Sequence, residues 1–93
     1  MAIVRLPGLL QLLAGGASTV ETDGATLRDV FADLERRYPG IGARIIEAGE
    51  IRPDVMIAID ADEVRDLDAR VPSDSEVHIL PAIAGGAIAG GQR

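Results

Sequence analysis

Apolar and polar positions recur along this chain with two periods, and each change of period marks an element. Ala2-Ile3-Val4-Arg5-Leu6 is a short β-rich run that stops at the turn pair Pro7-Gly8. Leu9 to Leu13 is apolar and is broken by Ala14-Gly15-Gly16. Ala17 to Thr22, with Thr19 and Val20 inside it, predicts a second strand paired to the first, and Asp23-Gly24 turns the chain. From Thr26 onward the period is helical. Leu27, Val30, Phe31, Leu34 and Tyr38 lay one apolar stripe toward a sheet, while Arg28, Asp29, Asp33, Glu35 and Arg36 fall off it. Thr26 suits the N-cap, and Asp29 three residues on resembles a capping box and places negative charge at the positive end of the helix dipole. Pro39-Gly40 stops the helix. Ile41, Ile45 and Ile46 predict one further helical turn, with a loop at Ala48-Gly49-Glu50.

The second half returns to strand patterns. Val55-Met56-Ile57-Ala58-Ile59 is nearly all apolar and of strand length, as an interior strand would be. Asp60-Ala61-Asp62-Glu63 turns, Val64-Arg65 is a brief edge strand, and Leu67 and Val71 plug the base of the core from an irregular segment. Pro72-Ser73-Asp74-Ser75 turns again, and Glu76 to Leu80 is the last strand, closed by Pro81. One amphipathic helix crossing a mixed sheet is an α+β, β-grasp arrangement, with the first and last strands parallel at its centre and a right-handed crossover. A ferredoxin-like order would need a second full helix, for which the chain has no segment. Residues 1–81 form the domain, and 82–93 are expected to form a flexible tail.

Composition narrows what such a domain can do. Ninety-three residues give one modest core, and with Phe31 and Tyr38 the only aromatics it must be built from Ile, Leu, Val and Ala. No run reaches membrane-span length, and the start lacks the order of a signal peptide, so a cytoplasmic protein away from membranes is expected. Without cysteine there is no disulfide, thiolate metal site or nucleophilic thiol. A net charge of −6 argues against nucleic acid as a partner. All nine basic residues are arginine, so no lysine can receive an isopeptide bond.

Catalytic candidates are lacking. Asp60, Asp62, Glu63, Asp66 and Asp68 loosely follow a calcium loop, but the central glycine and the closing glutamate are missing, which leaves a solvated turn. His78 is the only histidine and has no serine or cysteine partner. By alternation it faces away from Val77 and Ile79, on the same side as Leu80. The glycine pairs form no phosphate loop, because no Lys-Ser/Thr and no helix follow. The sequence therefore reads as a substrate of enzymes, with no catalytic residue, metal site or permanently bound cofactor.

The tail supplies the chemistry instead. Ala82-Ile83-Ala84-Gly85-Gly86 is repeated at once as Ala87-Ile88-Ala89-Gly90-Gly91, before Gln92-Arg93. Glycine has no Cβ, so an extended Gly-Gly can thread a channel too narrow for side chains and present a carboxyl group. Ile79-Leu80-Pro81-Ala82, the Ile83-Ala84-Gly85-Gly86 behind it, and the helix region from Thr26 to Val30 with Tyr38-Pro39-Gly40-Ile41 resemble the ThiS/MoaD sulfur-carrier family. The resemblance covers residues 2–86 and is nearest to CysO-type carriers, which share a ubiquitin-like β-grasp.

The resemblance implies a mechanism. A ubiquitin-activating-type adenylyltransferase (MoeB/ThiF-like), using ATP and Mg, adenylates the terminal glycine. A rhodanese-like donor then supplies sulfur, and the resulting thiocarboxylate delivers it to an acceptor such as a cysteine synthase. A molybdopterin synthase small subunit and a ubiquitin-like protein modifier are the alternatives. Gly86 is the implied site and Gly91 the second choice, with Ala84, Gly85 and Gly90 threading the partner's channel and His78, Leu80, Pro81 and Ile83 docking against it. Because Ala87 follows Gly86, a precursor trimmed by a JAMM-type metalloprotease is expected. At about 3.3 Å per extended residue, Gly86 lies about 17 Å beyond Pro81 and Gly91 about 33 Å.

Overall fold

The computed structural model describes residues 1–81. Its elements are β1 (Ala2–Arg5), a short α1 (Gly8–Gln11), β2 (Thr19–Thr22), the main helix α2 (Leu27–Arg37), a 3-10 turn (Gly42–Arg44), β3 (Ile46–Glu47), β4 (Glu50–Ile51), β5 (Val55–Ile59), β6 (Asp62–Val64) and β7 (Glu76–Pro81). Five strands form one mixed sheet in the order β2-β1-β7-β5-β6, and β3 with β4 forms a separate hairpin. β7 lies between β1, to which it is parallel, and β5, to which it is antiparallel. The last strand is thus clamped on both sides, as the strand pattern requires.

Alternation divides each central strand between two faces. Val4, Ile57, Val77 and Ile79 are buried against α2, whose Leu27, Val30, Phe31 and Leu34 are equally buried. The helix begins where the sequence indicates: the Thr26 hydroxyl accepts the Asp29 N–H at 3.3 Å. Leu67 and Val71 close the base of the core, as expected. β5 is interior to the sheet, yet only Val55, Ile57 and Ile59 are buried, while Met56 and Ala58 are half-buried on the opposite face.

Several local expectations change. The apolar run from Leu9, to which the pattern assigns no element, opens in α1, where Leu10 is buried in the core. β2 starts at Thr19 rather than Ala17. Ile46 is not helical; it opens a hairpin whose two-residue turn, Ala48-Gly49, has φ of 54° and 79°. Positive φ at both central positions matches the twist of a tight hairpin, so Glu50 becomes strand instead of loop. The turn after β5 shortens to Asp60-Ala61, and the edge strand takes in Asp62 and Glu63 but not Arg65.

Asp33, placed off the apolar stripe, is 2% exposed. The turn after β2 folds over it: its carboxylate accepts the Asp23 N–H at 3.2 Å and pairs with Arg37 at 2.8 Å and with Arg36. A buried carboxylate is tolerated only with such partners.

Glu35 closes the other end of α2. Its carboxylate accepts the N–H of Gly40 at 3.0 Å and of Gly42 at 2.7 Å, and these backbone donors hold its pKa below the ordinary 4.5. A depressed folded-state value means stability that is present above the ordinary value and lost as pH falls through the folded one. Glu35→Gln is therefore expected to flatten the acid limb of the stability curve below about pH 5. Urea denaturation at a series of pH values checks this; parallel acid limbs for the two proteins would contradict it.

Candidate functional site

The exposed face of β7 and the end of the sheet where it finishes form one continuous surface. Register places His78 between Ala58 of β5 and Arg5 of β1, Leu80 opposite Met56, and Pro81 opposite Val55. As alternation indicates, His78 and Leu80 share a face away from the core, and Leu80 is 43% exposed. Glu76 joins this row. It pairs with Arg5 at 2.8 Å and stands 3.4 Å from His78 Nε2. The Arg5 guanidinium, by hydrogen bond and charge, holds the Glu76 carboxyl below the usual carboxylate range. The face thus has an apolar spot, Leu80 beside Met56, next to a charged row.

At the C-terminal end of β7 the surface dips into a groove of about 310 Å³. Pro7, Leu9, Leu10, Ile79, Leu80 and Pro81 supply most of its apolar wall, and Arg44 and Arg52 stand at its side. Leu9 is 66% exposed there. Arg52 is held by Asp54 at 3.0 Å and Glu47 at 3.2 Å. The loop carrying Arg52 and Val55 is fixed from behind by Arg65, whose guanidinium donates to the carbonyls of Ile51, Arg52 and Val55 at 2.9–3.1 Å.

The acidic residues after β5 are engaged locally. Asp60 accepts the Glu76 N–H at 3.0 Å, Asp66 accepts the Asp68 N–H at 2.9 Å, and Asp68 pairs with Arg28 at 3.1 Å. Among the described residues no group of three or more carboxylates or imidazoles is placed to hold a metal, and no helix is long and apolar enough to cross a membrane.

Of the residues chosen from sequence, His78, Leu80 and Pro81 lie together on this surface. Ile83, Ala84, Gly85, Gly86, Gly90 and Gly91 lie outside the described residues. Sequence reasoning missed Met56, Leu9, Arg44 and Arg52. Met56 was accessible in principle, because its alternation within β5 puts it opposite the core. The other three reach the groove through tertiary packing and leave no local signal.

A family model described as the ThiS family matches residues 4–86. The sulfur carrier protein CysO of Mycobacterium tuberculosis (strain ATCC 25618 / H37Rv) is 35% identical over 89 residues, covering 89% of this chain and 96% of the relative. Small archaeal modifier protein 3 of Haloferax volcanii is 40% identical over 67 residues, covering 69% of this chain and 73% of its own. The fold is similar to that of a chain in the crystal structure of the Amycolatopsis orientalis BexX/CysO complex. There the TM-score is 0.87 and the identity 32%, over 92% of this chain and 100% of that one. The architecture is the ubiquitin-like β-grasp.

Proposed function

This chain belongs to the ThiS family, and from that premise we propose that it is a sulfur carrier working through the carboxylate of Gly86. The carboxylate oxygen attacks the α-phosphorus of ATP on a ubiquitin-activating-type partner, which supplies the Mg and releases pyrophosphate. A persulfide, carried by that partner or by a rhodanese-like protein, attacks the acyl carbon and AMP leaves. A second thiol then attacks the sulfur of the acyl disulfide that belongs to the donor protein, forming a disulfide with it, and the sulfur bonded to the acyl carbon leaves as the glycyl thiocarboxylate. That anion is the nucleophile delivered to a sulfur-metabolite enzyme, a cysteine synthase being the acceptor that fits the similarity to CysO.

One observation carries this reading. The family match runs through the first Gly-Gly and ends at residue 86, five residues past the end of β7, which β5 pairs up to Pro81. The rigid strand fixes where the tail leaves the domain, and no side chain of the domain is called on for the chemistry. Since Ala87 follows, the carboxylate must be freed by hydrolysis, for which a JAMM-type metalloprotease is the proposed agent. Intact mass of protein isolated from its own host tests this. Loss of residues 87–93 together with replacement of one oxygen by sulfur supports it; a chain that is always untrimmed and never sulfurated refutes it.

The similarity to a small archaeal modifier protein favours a second reading, in which Gly86 is joined to lysines of other proteins. Gly-Gly remnants on target lysines after digestion would favour it over the carrier.

Docking is assigned to Leu80 with Met56 and His78. Because Leu80 is already 43% exposed, Leu80→Asp is expected to leave the melting temperature nearly unchanged. It is expected to weaken the activating partner's affinity by roughly tenfold or more, the scale of losing an anchor at the centre of an interface. Calorimetric titration checks this, and unchanged affinity would move the docking surface elsewhere.

A further inference from the structure

Two prolines stop the ladder between β1 and β7. The Asp60 N–H donates to the Glu76 carbonyl at 2.7 Å from the β5 side, and the Ile3 N–H donates to the Ser75 carbonyl at 3.1 Å from the β1 side. Alternation therefore turns the carbonyls of Val77, Ile79 and Pro81 toward β1. Arg5 opposite His78 is the last pair of that ladder. The next rung would need an N–H from Pro7 for the Ile79 carbonyl and one from Pro81 for the Pro7 carbonyl, and proline has none. The Pro7 carbonyl turns instead to the N–H groups of Leu10 and Gln11, both at 3.0 Å, and the Leu6 N–H leaves for Ser18 at 2.9 Å. Among the described residues no backbone group donates to the carbonyls of Ile79 and Pro81 from this side, although Ile79 is 2% exposed. A buried carbonyl of this kind calls for a donor.

The groove beside this edge selects the kind of donor. Its walls are apolar, from Pro7, Leu9, Leu10 and Leu80. Of its charged side chains, Arg52 stands 3.0 Å from Asp54 and the two offset each other. Arg44 makes no ion pair among the described residues, so it leaves the groove positive in a chain of net charge −6. Arg44 repels an ammonium or guanidinium donor but not a neutral N–H. An extended backbone presents such an N–H on one side at every second residue, about 7 Å apart, which is also the spacing of the Ile79 and Pro81 carbonyls. The seat is built in advance, because Arg65 holds the carbonyls of Ile51, Arg52 and Val55 at 2.9–3.1 Å. Little ordering of the domain is left to oppose binding.

We propose that an extended segment of a partner protein, alternating apolar and acidic residues, docks here as an added strand. Two of its N–H groups meet the Ile79 and Pro81 carbonyls, its apolar side chains cover Leu9 and Leu80, and a carboxylate pairs with Arg44. In strand addition the backbone hydrogen bonds supply affinity and the alternate side chains supply selectivity. Pro7 and Pro81 keep the seat open by denying it to β1. The site makes no use of Gly86, so it stands or falls apart from the sulfur-carrier reading.

The probe is a blocked five-residue peptide of alternating leucine and glutamate, titrated into the full chain while amide and carbonyl-carbon signals are followed. Saturating shifts at Leu9, Leu10, Arg44 and Leu80 are expected, with a dissociation constant of about 1 mM or tighter. The Ile79 carbonyl carbon should move downfield as it gains a donor. Lysine in place of glutamate in the peptide should weaken binding about three- to tenfold, the scale on which an exposed ion pair selects, and Arg44→Glu should reverse that preference. Leu9→Asp, at a side chain 66% exposed, is a second variant and should weaken the glutamate peptide at least about fivefold. A peptide methylated at its backbone nitrogens keeps every side chain but offers no N–H, and it should bind at least about tenfold more weakly. No saturation by about 5 mM overturns the proposal. So do equal affinities for the glutamate and lysine peptides, or for the methylated and unmethylated ones. Shifts at the same residues that grow with protein concentration before peptide is added would make the occupant a second copy. Shifts there on introducing Ile83→Asp and Ile88→Asp alone would make it the chain's own tail, and either result overturns the proposal.

Discussion

A chain ending at Gly86 is expected to form an acyl-adenylate with its activating partner, whereas the intact chain and a chain ending at Gly91 should do so at least about 100-fold more slowly. The reason is a fixed distance. β7 is held by β1 as far as His78 and by β5 up to Pro81, so the domain cannot slide relative to the point where its tail begins. A partner that grips the face around Leu80 sets the span from that face to its bound nucleotide. Gly86 lies about 17 Å beyond Pro81 when extended, and Gly91 about 17 Å further. Displacing a reacting atom by even 1 Å can cost about 100-fold, so an overshoot of five residues must be looped out before the carboxylate meets the α-phosphorus. Pyrophosphate exchange with the three chains decides the matter. Equal rates for the Gly86 and Gly91 ends would mean that the partner measures no distance, and a faster Gly91 end would move the site to the second repeat. Replacing Gly85 by valine in the Gly86-ended chain should abolish exchange for a different reason, the side chain blocking the channel, while leaving affinity for the domain intact.

The parts of this arrangement that were readable in advance are those set by neighbours in sequence. The Thr26 cap, the stripe from Leu27 to Leu34 and the two-sided alternation of Val77 to Leu80 depend on local geometry, and the structure shows each as its pattern requires. What was not readable depends on chain that arrives from elsewhere. Asp33 lies off the apolar stripe, and it is buried only because the turn after β2 packs over it. The hairpin of β3 and β4 has two-residue strands, too short for a period, and its turn puts Ala48 at positive φ without a residue that announces it. The groove belongs to the same class. Its wall draws on α1, the 3-10 turn, the start of β5 and the end of β7; the two strands were legible from their patterns, but their convergence with α1 and the turn was not.

Phe31→Ala is expected to cost about 3–5 kcal/mol, the largest loss of stability from any single truncation in this domain. Phe31 is 1% exposed and heads the fully buried side chains by volume, whereas the other aromatic, Tyr38, is only half-buried. Its neighbours in the core are almost all branched aliphatics, whose stiff side chains cannot swing into the space left by a ring. The void stays, and its cost adds to the lost burial. Against a total of about 5–15 kcal/mol for a domain of this kind, the variant keeps a folded majority only if the parent lies above the bottom of that range. Phe31→Leu fills most of the space and should lose less than about 1.5 kcal/mol, so the pair separates volume from any other role of the position. Urea denaturation reads both, and the melting temperature of the alanine variant should drop by on the order of 15–25 °C. A loss under about 1 kcal/mol would mean that α2 settles onto the sheet to close the void, contrary to a core packed as tightly as these burials imply. Because the reacting carboxylate belongs to the tail and the activation to the partner, adenylation per folded molecule should be the same in both variants and the parent. A fall in that rate, at a temperature where the alanine variant is fully folded, would show that the domain takes part in the chemistry beyond presenting its strand.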